Sequence, residues 1–357
     1  MWSGPQRLRP VSRCWAKASS FVCSRASPWN GPRPSRLPIE VPVFHVIEDD
    51  QARRLVERAE AIDIVSAAYR AAAAGQAAVS QPSALFLRGR PEPDTHFKVK
   101  GAVLDALNVA GFRLIADGAR TVDGKNAYLY VADAETGRPI GMVSESWLHR
   151  IRTASTGLVT CRALRPRGIR TIALIGTGRI AEEFIRSCHC VFPQVEILLA
   201  SRSTARARAA AERWQALTPI RLRAAELKDA LSAAETVVTI SDAAERLFAA
   251  ADLPAGALIC AMGGRHEFDS DVLAACDVFV VDEIDFVCAV GSGSHWIASG
   301  QVTRADLERR LDATIGQVLA GVKSLPDDRP TLTIIQGMAV CDLAIAKTVL
   351  DRAAAKA

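Results

Sequence analysis

The chain has 357 residues, 49% apolar and 23% charged, proportions of a soluble globular protein long enough for two cores. Its net charge of +5 invites a nucleic-acid reading, but residues 1–39 hold seven basic side chains (Arg7, Arg9, Arg13, Lys17, Arg25, Arg33, Arg36) and no acid, which leaves −2 on the rest. No basic stripe remains for a phosphate backbone, and no apolar run approaches the roughly 20 residues that span a bilayer, so neither nucleic acid nor membrane is an expected partner.

The leader, residues 1–40, is rich in Arg, Ser, Pro and Trp and lacks both helical and strand periodicity. Three readings stay open for it: a basic, acid-poor transit-type presequence, a disordered tail, or sequence upstream of the true start codon. It has no apolar core of the kind that a secretory signal needs.

From Phe44 onward the elements can be taken in order. "DQARRLVERAEAIDIVSAAYRAAAAG" spaces Leu55, Ala59, Ile62, Val65 and Tyr69 by threes and fours, which predicts one amphipathic helix ended by Gly75. Between Gln81 and Val143 the pattern changes to short β-like pieces ("ALFLR", "HFKVKGAVL", "GFRLIAD", "AYLYVAD") separated by turn residues, "DAETGRP" at 133–139 among them. This predicts a mainly antiparallel sheet. A helix follows from Trp147 through "RIRTASTGLVTCRAL", and "RPRG" at 165–168 stops it. Thereafter strands near 171–175, 195–200, 236–240, 257–262 and 278–282 alternate with helical stretches, the pattern of a parallel sheet with crossover helices. After the "PDDRP" break at 326–330, a strand and a long helix close the chain.

Nine cysteines show no CxxC pair, which points to reduced thiols and a cytoplasmic protein. Cys188-His189-Cys190 is no metal site on this reading, because neighbours on a helix point about 100° apart. No metal is expected.

The strongest motif is "TIALIGTGRIAEEF". A strand runs into Gly176-Thr177-Gly178-Arg179-Ile180-Ala181, and a helix with Ile180, Phe184, Cys188 and Val191 on one face follows. In that context GxGxxA predicts a dinucleotide site: Gly176 for the turn, Gly178 for close approach of the pyrophosphate, Ala181 for packing of helix on strand. The pyrophosphate would sit on the helix N-terminus, which favours an anion. Where an NAD site carries an acid after its second strand, this chain has Ser201-Arg202-Ser203-Thr204. A guanidinium flanked by hydroxyls suits the 2′-phosphate of NADP, so NADP is the expected cofactor, with NAD as the other possibility.

Several stretches taken together resemble the ornithine cyclodeaminase/μ-crystallin family: "AYLYVADAETGRPIGMVSESWLHRIRTAS", the "IGTG" loop, "LPAGALICAMGG" ahead of "VFVVDE", and the closing "GMAVCDLAIA". The resemblance covers residue 44 to the end. It implies an α/β fold with a Rossmann-type dinucleotide domain, placed at 161–327. A second, α+β domain for substrate binding and dimerisation would come from 41–160 and 328–357, with the active site in the cleft of a homodimer's subunit. It implies small amino, imino or keto acids as substrates, and their carboxylate needs fixed cations.

Arg152 matches the family's carboxylate-binding Arg in "RT", at what reads as a helix start, and Thr153 follows it beside the cofactor. Lys100 in "KVKGA" and Arg113 in "GFR" are the other candidates, Arg113 standing where many members have an active-site Lys; Lys98 would replace Lys100 if the strand register moved. Two departures bear on mechanism. Pro82-Ser83-Ala84 stands where members often have "PxR", and Arg265 stands after Gly263-Gly264 where cyclodeaminases carry a catalytic Asp. Arginine cannot act as the base, so His266 or Glu267 is the candidate replacement. Glu267 also reads as a helix N-terminal acid, and His295 is a second candidate; His45, His96 and His149 read as structural. The leading function is an NAD(P)H-dependent dehydrogenase or imine reductase of a small amino, imino or keto acid. The alternatives are ornithine cyclodeaminase, weakened by Arg265, and a non-catalytic NADPH-binding protein.

Overall fold

The computed structural model describes residues 44–88, 96–117 and 127–356, so the expectations for the leader lie outside it. In chain order its first half holds β1 (His45–Ile47), α1 (Asp49–Ala52), α2 (Arg58–Ala73), β2 (Ala77–Val79), β3 (Leu85–Arg88), β4 (His96–Leu104), β5 (Val109–Asp117), β6 (Tyr128–Asp133), β7 (Pro139–Ser144) and α3 (Glu145–Leu164). The strands form one sheet ordered β1-β7-β6-β5-β4-β2, with β3 also on β4; every pairing is antiparallel except β1 on β7. The turn signals act locally. Asp133 accepts from the N–H and hydroxyl of Thr136, both at 2.7 Å, and Gly137 takes φ +70° to close the β6–β7 hairpin.

The single helix expected over 51–75 is two. Leu55 and Val56 turn down into the core, Glu57 is extended (φ −82°, ψ 159°), and the Leu55 carbonyl accepts from Arg352 at 2.5 Å. Apolar spacing alone cannot report that tertiary pull.

The second half contains β8 (Thr171–Ile175), α4 (Arg179–Cys188), β9 (Glu196–Ala200), α5 (Thr204–Gln215), β10 (Arg221–Ala224), α6 (Leu227–Ala233), β11 (Thr236–Thr239), β12 (Leu258–Ala261), α7 (Asp271–Ala275) and β13 (Val278–Val281). Then come α8 (Ile284–Ala289), α9 (Gly291–Ala298), α10 (Arg304–Arg310), β14 (Ala313–Thr314), α11 (Ile315–Leu319), β15 (Thr331–Ile334) and α12 (Ala339–Ala354). These strands make an all-parallel sheet, β10-β9-β8-β11-β12-β15-β13-β14. The first five follow the order 3-2-1-4-5 of a dinucleotide fold. Strand β15, expected with the closing segment of the first domain, inserts instead between β12 and β13; only the residues after it return to the first sheet. Its side chains are buried throughout, as a central strand of a covered parallel sheet requires.

Helix α3 links the two halves. It packs against α2, α4 and α12, and most of its length is buried. Helix α12 lies across the inner face of the first sheet, which it approaches closely because two strand positions lack a side chain. A Cβ on Gly111 would lie 2.1 Å from the Tyr130 carbonyl oxygen and 2.7 Å from Leu343; one on Gly141 would lie 2.5 Å from the His45 carbonyl oxygen and 2.6 Å from Leu350.

Overpacking at such a site has a typical cost of about 1–3 kcal/mol. Gly141→Ala is therefore expected to lower the unfolding free energy by that amount, read as a lower urea midpoint with an unchanged slope of the transition in equilibrium denaturation.

Candidate active site

The glycine loop comes first. Strand β8 delivers the chain to Gly176 at φ +137°, where an added Cβ would sit 2.2 Å from the Ile240 carbonyl oxygen just past β11. Glycine is required there by the neighbouring strand end as well as by the turn. Gly178 is exposed and extended (φ −89°, ψ 179°), caps α4 without a side chain, and has open space where a Cβ would be. Ala181 is fully buried, Thr177 and Ile180 are half-buried, and Arg179 is exposed. The first-turn N–H groups of α4 thus lack a side-chain acceptor, the condition under which a helix start takes an anion. At the end of β9 the Ser201 hydroxyl donates to the Ser203 carbonyl at 2.8 Å, Ser203 caps α5 by accepting from the Arg206 N–H, and Arg202 is exposed. These residues fit a nicotinamide dinucleotide, with no acid at 201–204 to repel a 2′-phosphate.

The second feature is a buried cluster of cations. Antiparallel register sets Lys100 of β4 directly opposite Arg113 of β5, and both point inward, 3% and 2% exposed. Like charges facing each other across a ladder repel, so carboxylates must hold them. Arg113 donates to Glu145 at the start of α3 and, at 3.3 Å, to Asp342 of α12. Arg152 of α3 donates through Nε to the same Asp342 at 2.7 Å. Burial alone would raise the Asp342 carboxyl, but Arg152, Arg113 and Lys100 hold it below the usual carboxylate range.

His149 completes the cluster. Its Nδ1 lies 3.3 Å from Arg113, from Arg152 and from the Thr153 hydroxyl. Guanidinium groups only donate, so Nδ1 accepts and the ring is the neutral Nε2–H tautomer. Burial first, and then the charges of Arg113, Arg152 and Lys100, push its pKa well below the ordinary value.

Lys100 is the least neutralised member. Its Nζ donates to the Gly337 carbonyl at 2.5 Å and lies 3.7 Å above the Phe286 ring centre. Burial, reinforced by Arg152 and Arg113 and opposed by Asp342 and Asp282, pushes its pKa down to about 7. Gly337 holds φ +83°, and a Cβ there would lie 2.0 Å from Arg152, so the loop after β15 can fold over the guanidinium only as glycine. Asp282 fixes that loop by accepting from the Gly337 and Gln336 N–H groups at 2.5 and 3.2 Å.

A family profile described as the ornithine cyclodeaminase/mu-crystallin family matches residues 42–357. The chain belongs to that family. An uncharacterized cyclodeaminase of Sinorhizobium fredii is 26% identical over 88% of this chain and 97% of its own length. A Delta(1)-pyrroline-2-carboxylate reductase of Bacillus cereus is 24% identical over 86% and 96%. The solved structure of an archaeal alanine dehydrogenase dimer with bound NAD superposes with a TM-score of 0.78 at 21% identity, covering 88% of this chain and 97% of that one.

Against the family pattern, several expectations change. Lys98 and Lys100, two apart on one strand, share a face, so no register shift trades one for the other; Lys100 is buried and Lys98 half-buried. Arg152 lies in the third turn of α3, which begins at Glu145, so pairing with Asp342 orients it and the helix dipole does not. Thr153, expected at the cofactor, places its hydroxyl on His149. Ser83, in place of the "PxR" arginine, donates to Glu283. Glu267 is not a helix-start acid: it is 1% exposed and accepts from the Thr239 hydroxyl and the Ser241 hydroxyl, both at 2.6 Å. Arg265 is exposed, and His266 pairs with Asp269 at 2.9 Å beside His295, making no contact with the buried cluster.

Sequence reasoning placed Lys100, Arg113 and Arg152 together and missed Glu145, His149, Asp282 and Asp342. A signal for one existed. In "GMAVCDLAIA" a lone acid sits inside an apolar helix, and a carboxylate that is buried must have a cation.

Removing one partner of a buried ion pair costs about 3–5 kcal/mol. Asp342→Asn, which leaves the Arg152 guanidinium without its carboxylate and Arg113 with Glu145 alone, is expected to destabilise the protein by that amount in chemical denaturation; an unchanged midpoint would mean that the cluster is solvated.

Proposed function

We propose that the protein is an NAD(P)H-dependent reductase or dehydrogenase of a small amino, imino or keto acid, with NADP preferred, acting as a homodimer. The observation that carries this reading is the buried set of Lys100, Arg113 and Arg152, already oriented by Asp342 and Glu145. Cations fixed before substrate arrives favour a carboxylate at no further ordering cost. They ride partly on α3, which packs on the α4 helix of the glycine loop. The cofactor, when bound at Gly176–Ala181, supplies the hydride.

The chain's own residues then divide the work. Arg152 and Arg113 hold the carboxylate and draw electron density toward it. Lys100, poised near neutral pH, gives a proton to the reduced nitrogen or oxygen or takes it back in the oxidative direction. His266, expected from the sequence as the acid, lies outside this set. Arg265 at the position of the cyclodeaminase acid weighs against ornithine cyclisation. The homodimer reading is supported by the outer face of the first sheet, where Phe112 and Leu114 are 45% and 38% exposed and the Phe112 ring packs, tilted, against Tyr130 beside an open apolar groove.

Oxidation of NADPH with cyclic imino acids, and with 2-keto acids plus ammonia or methylamine, tests the reading by absorbance. One substrate of this class should turn over; proline from ornithine alone, or NADPH binding without turnover, would overturn it. Protonated Lys100 is the active form, so kcat/KM for imine reduction should fall as pH rises through about 7. Lys100→Met should remove that limb of the profile and lower kcat/KM by about 100-fold or more.

For the cofactor, Arg202→Glu should shift the ratio of NADPH to NADH affinity by about tenfold or more toward NADH, read by fluorescence titration. A wild-type protein that already prefers NADH would refute the role given to Arg202.

A further inference from the structure

Outside the cation cluster, among the described residues, one trio of imidazole and carboxylate groups converges. His266, Asp269 and His295 each place a ligand atom within 4.8 Å of the others. His266 follows the Gly263-Gly264 loop, Asp269 is three residues further on in the same non-helical segment, and His295 projects from α9. The two rings are 3.7 Å apart, centre to centre, and 17° from parallel, and His266 Nε2 is 2.9 Å from Asp269 Oδ1.

The scaffold beneath the trio is rigid. The Trp296 indole N–H, next to His295, donates at 2.8 Å to the carbonyl of Phe268, next to Asp269, and both aromatic side chains are fully buried. The Asp269 carboxylate is itself oriented: Gln301 donates to Oδ1 at 3.0 Å and Arg246 to Oδ2 at 3.1 Å. Metal-binding carboxylates are held by such outer hydrogen bonds, which fix the oxygen that faces the ion.

We propose that His266, Asp269 and His295 form a binding site for a divalent transition-metal ion of the zinc type. Two imidazoles with one carboxylate select zinc, nickel or copper over magnesium or calcium, which take oxygen ligands. Three protein ligands leave an open coordination position. It would face the cleft of about 460 Å³ that these histidines line with Lys98, Gly264 and Gly291. Coordination requires the two rings, which line the cleft wall, to turn out of their stack. No CxxC or HxxxH spacing announces this site. Residues 26 or more apart in sequence meet only because α9 docks on the 263–269 loop.

The site stands independently of the oxidoreductase reading, because its test measures binding. Calorimetric titration of the full chain with Zn²⁺ should show one saturable ion per chain, and Co²⁺ should give the visible ligand-field bands of a nitrogen–oxygen site. His266→Gln and His295→Gln should each weaken Zn²⁺ binding by about tenfold or more, while metal-free thermal unfolding and NADPH binding stay as in wild type. No saturable binding would overturn the proposal. So would unchanged Zn²⁺ affinity in the double variant, which would transfer the ion to other donors such as His189 with Cys190, 3.6 Å apart at the surface. Loss of turnover with intact Zn²⁺ binding would count against the proposed reaction and leave this site standing.

Discussion

The structure depends on one buried carboxylate. Asp342, fully inaccessible within α12, accepts from Arg152 of α3 and Arg113 of β5, and so ties the closing helix, the linking helix and the first sheet together at one point. An isolated carboxylate in such a place would take up a proton; two guanidiniums keep it charged. The reverse also holds for Arg152, whose buried guanidinium needs this carboxylate. Glu145 meets the rest of Arg113, and the neutral ring of His149 accepts from both arginines without adding charge.

Backbone geometry then brings this polar core to the dinucleotide loop. Strand β15 crosses into the parallel sheet, and the loop after it returns to α12 over Arg152, which requires the left-handed glycine at 337. That loop carries the carbonyl that receives Lys100, and Gln336 within it donates to the Gly263 carbonyl at 3.1 Å. A single turn therefore connects the cations with the Gly263-Gly264 segment. Helix α3 makes a second connection, because the helix that presents Arg152 also packs on the helix of the glycine loop.

The same arrangement explains why Lys100, and not Arg113, is the group that titrates. A guanidinium keeps its proton in any protein environment, whereas an ammonium desolvated beside two fixed cations loses it readily. The excess of positive charge that weakens the hold of Lys100 on its proton is what a substrate carboxylate would balance.

Much of this was legible in the chain itself. The antiparallel pieces, the alternating strands and helices and the GTG loop follow from patterns within about 15 residues, where side-chain period and turn chemistry act locally, and the resemblance to the family pointed to Lys100, Arg113 and Arg152. The break near Glu57, the insertion of β15, the placement of Asp342 and the meeting of His266 with His295 do not. Each depends on contacts between segments tens to hundreds of residues apart, where packing selects among locally equivalent conformations. The sequence by itself determined the kind of protein, an α/β chain with a dinucleotide-type glycine loop, because glycine conformations and hydrophobic periods are local properties. Only the tertiary structure decided which cation stays poised to titrate and which acids hold the others, because burial and charge pairing exist only once distant segments meet.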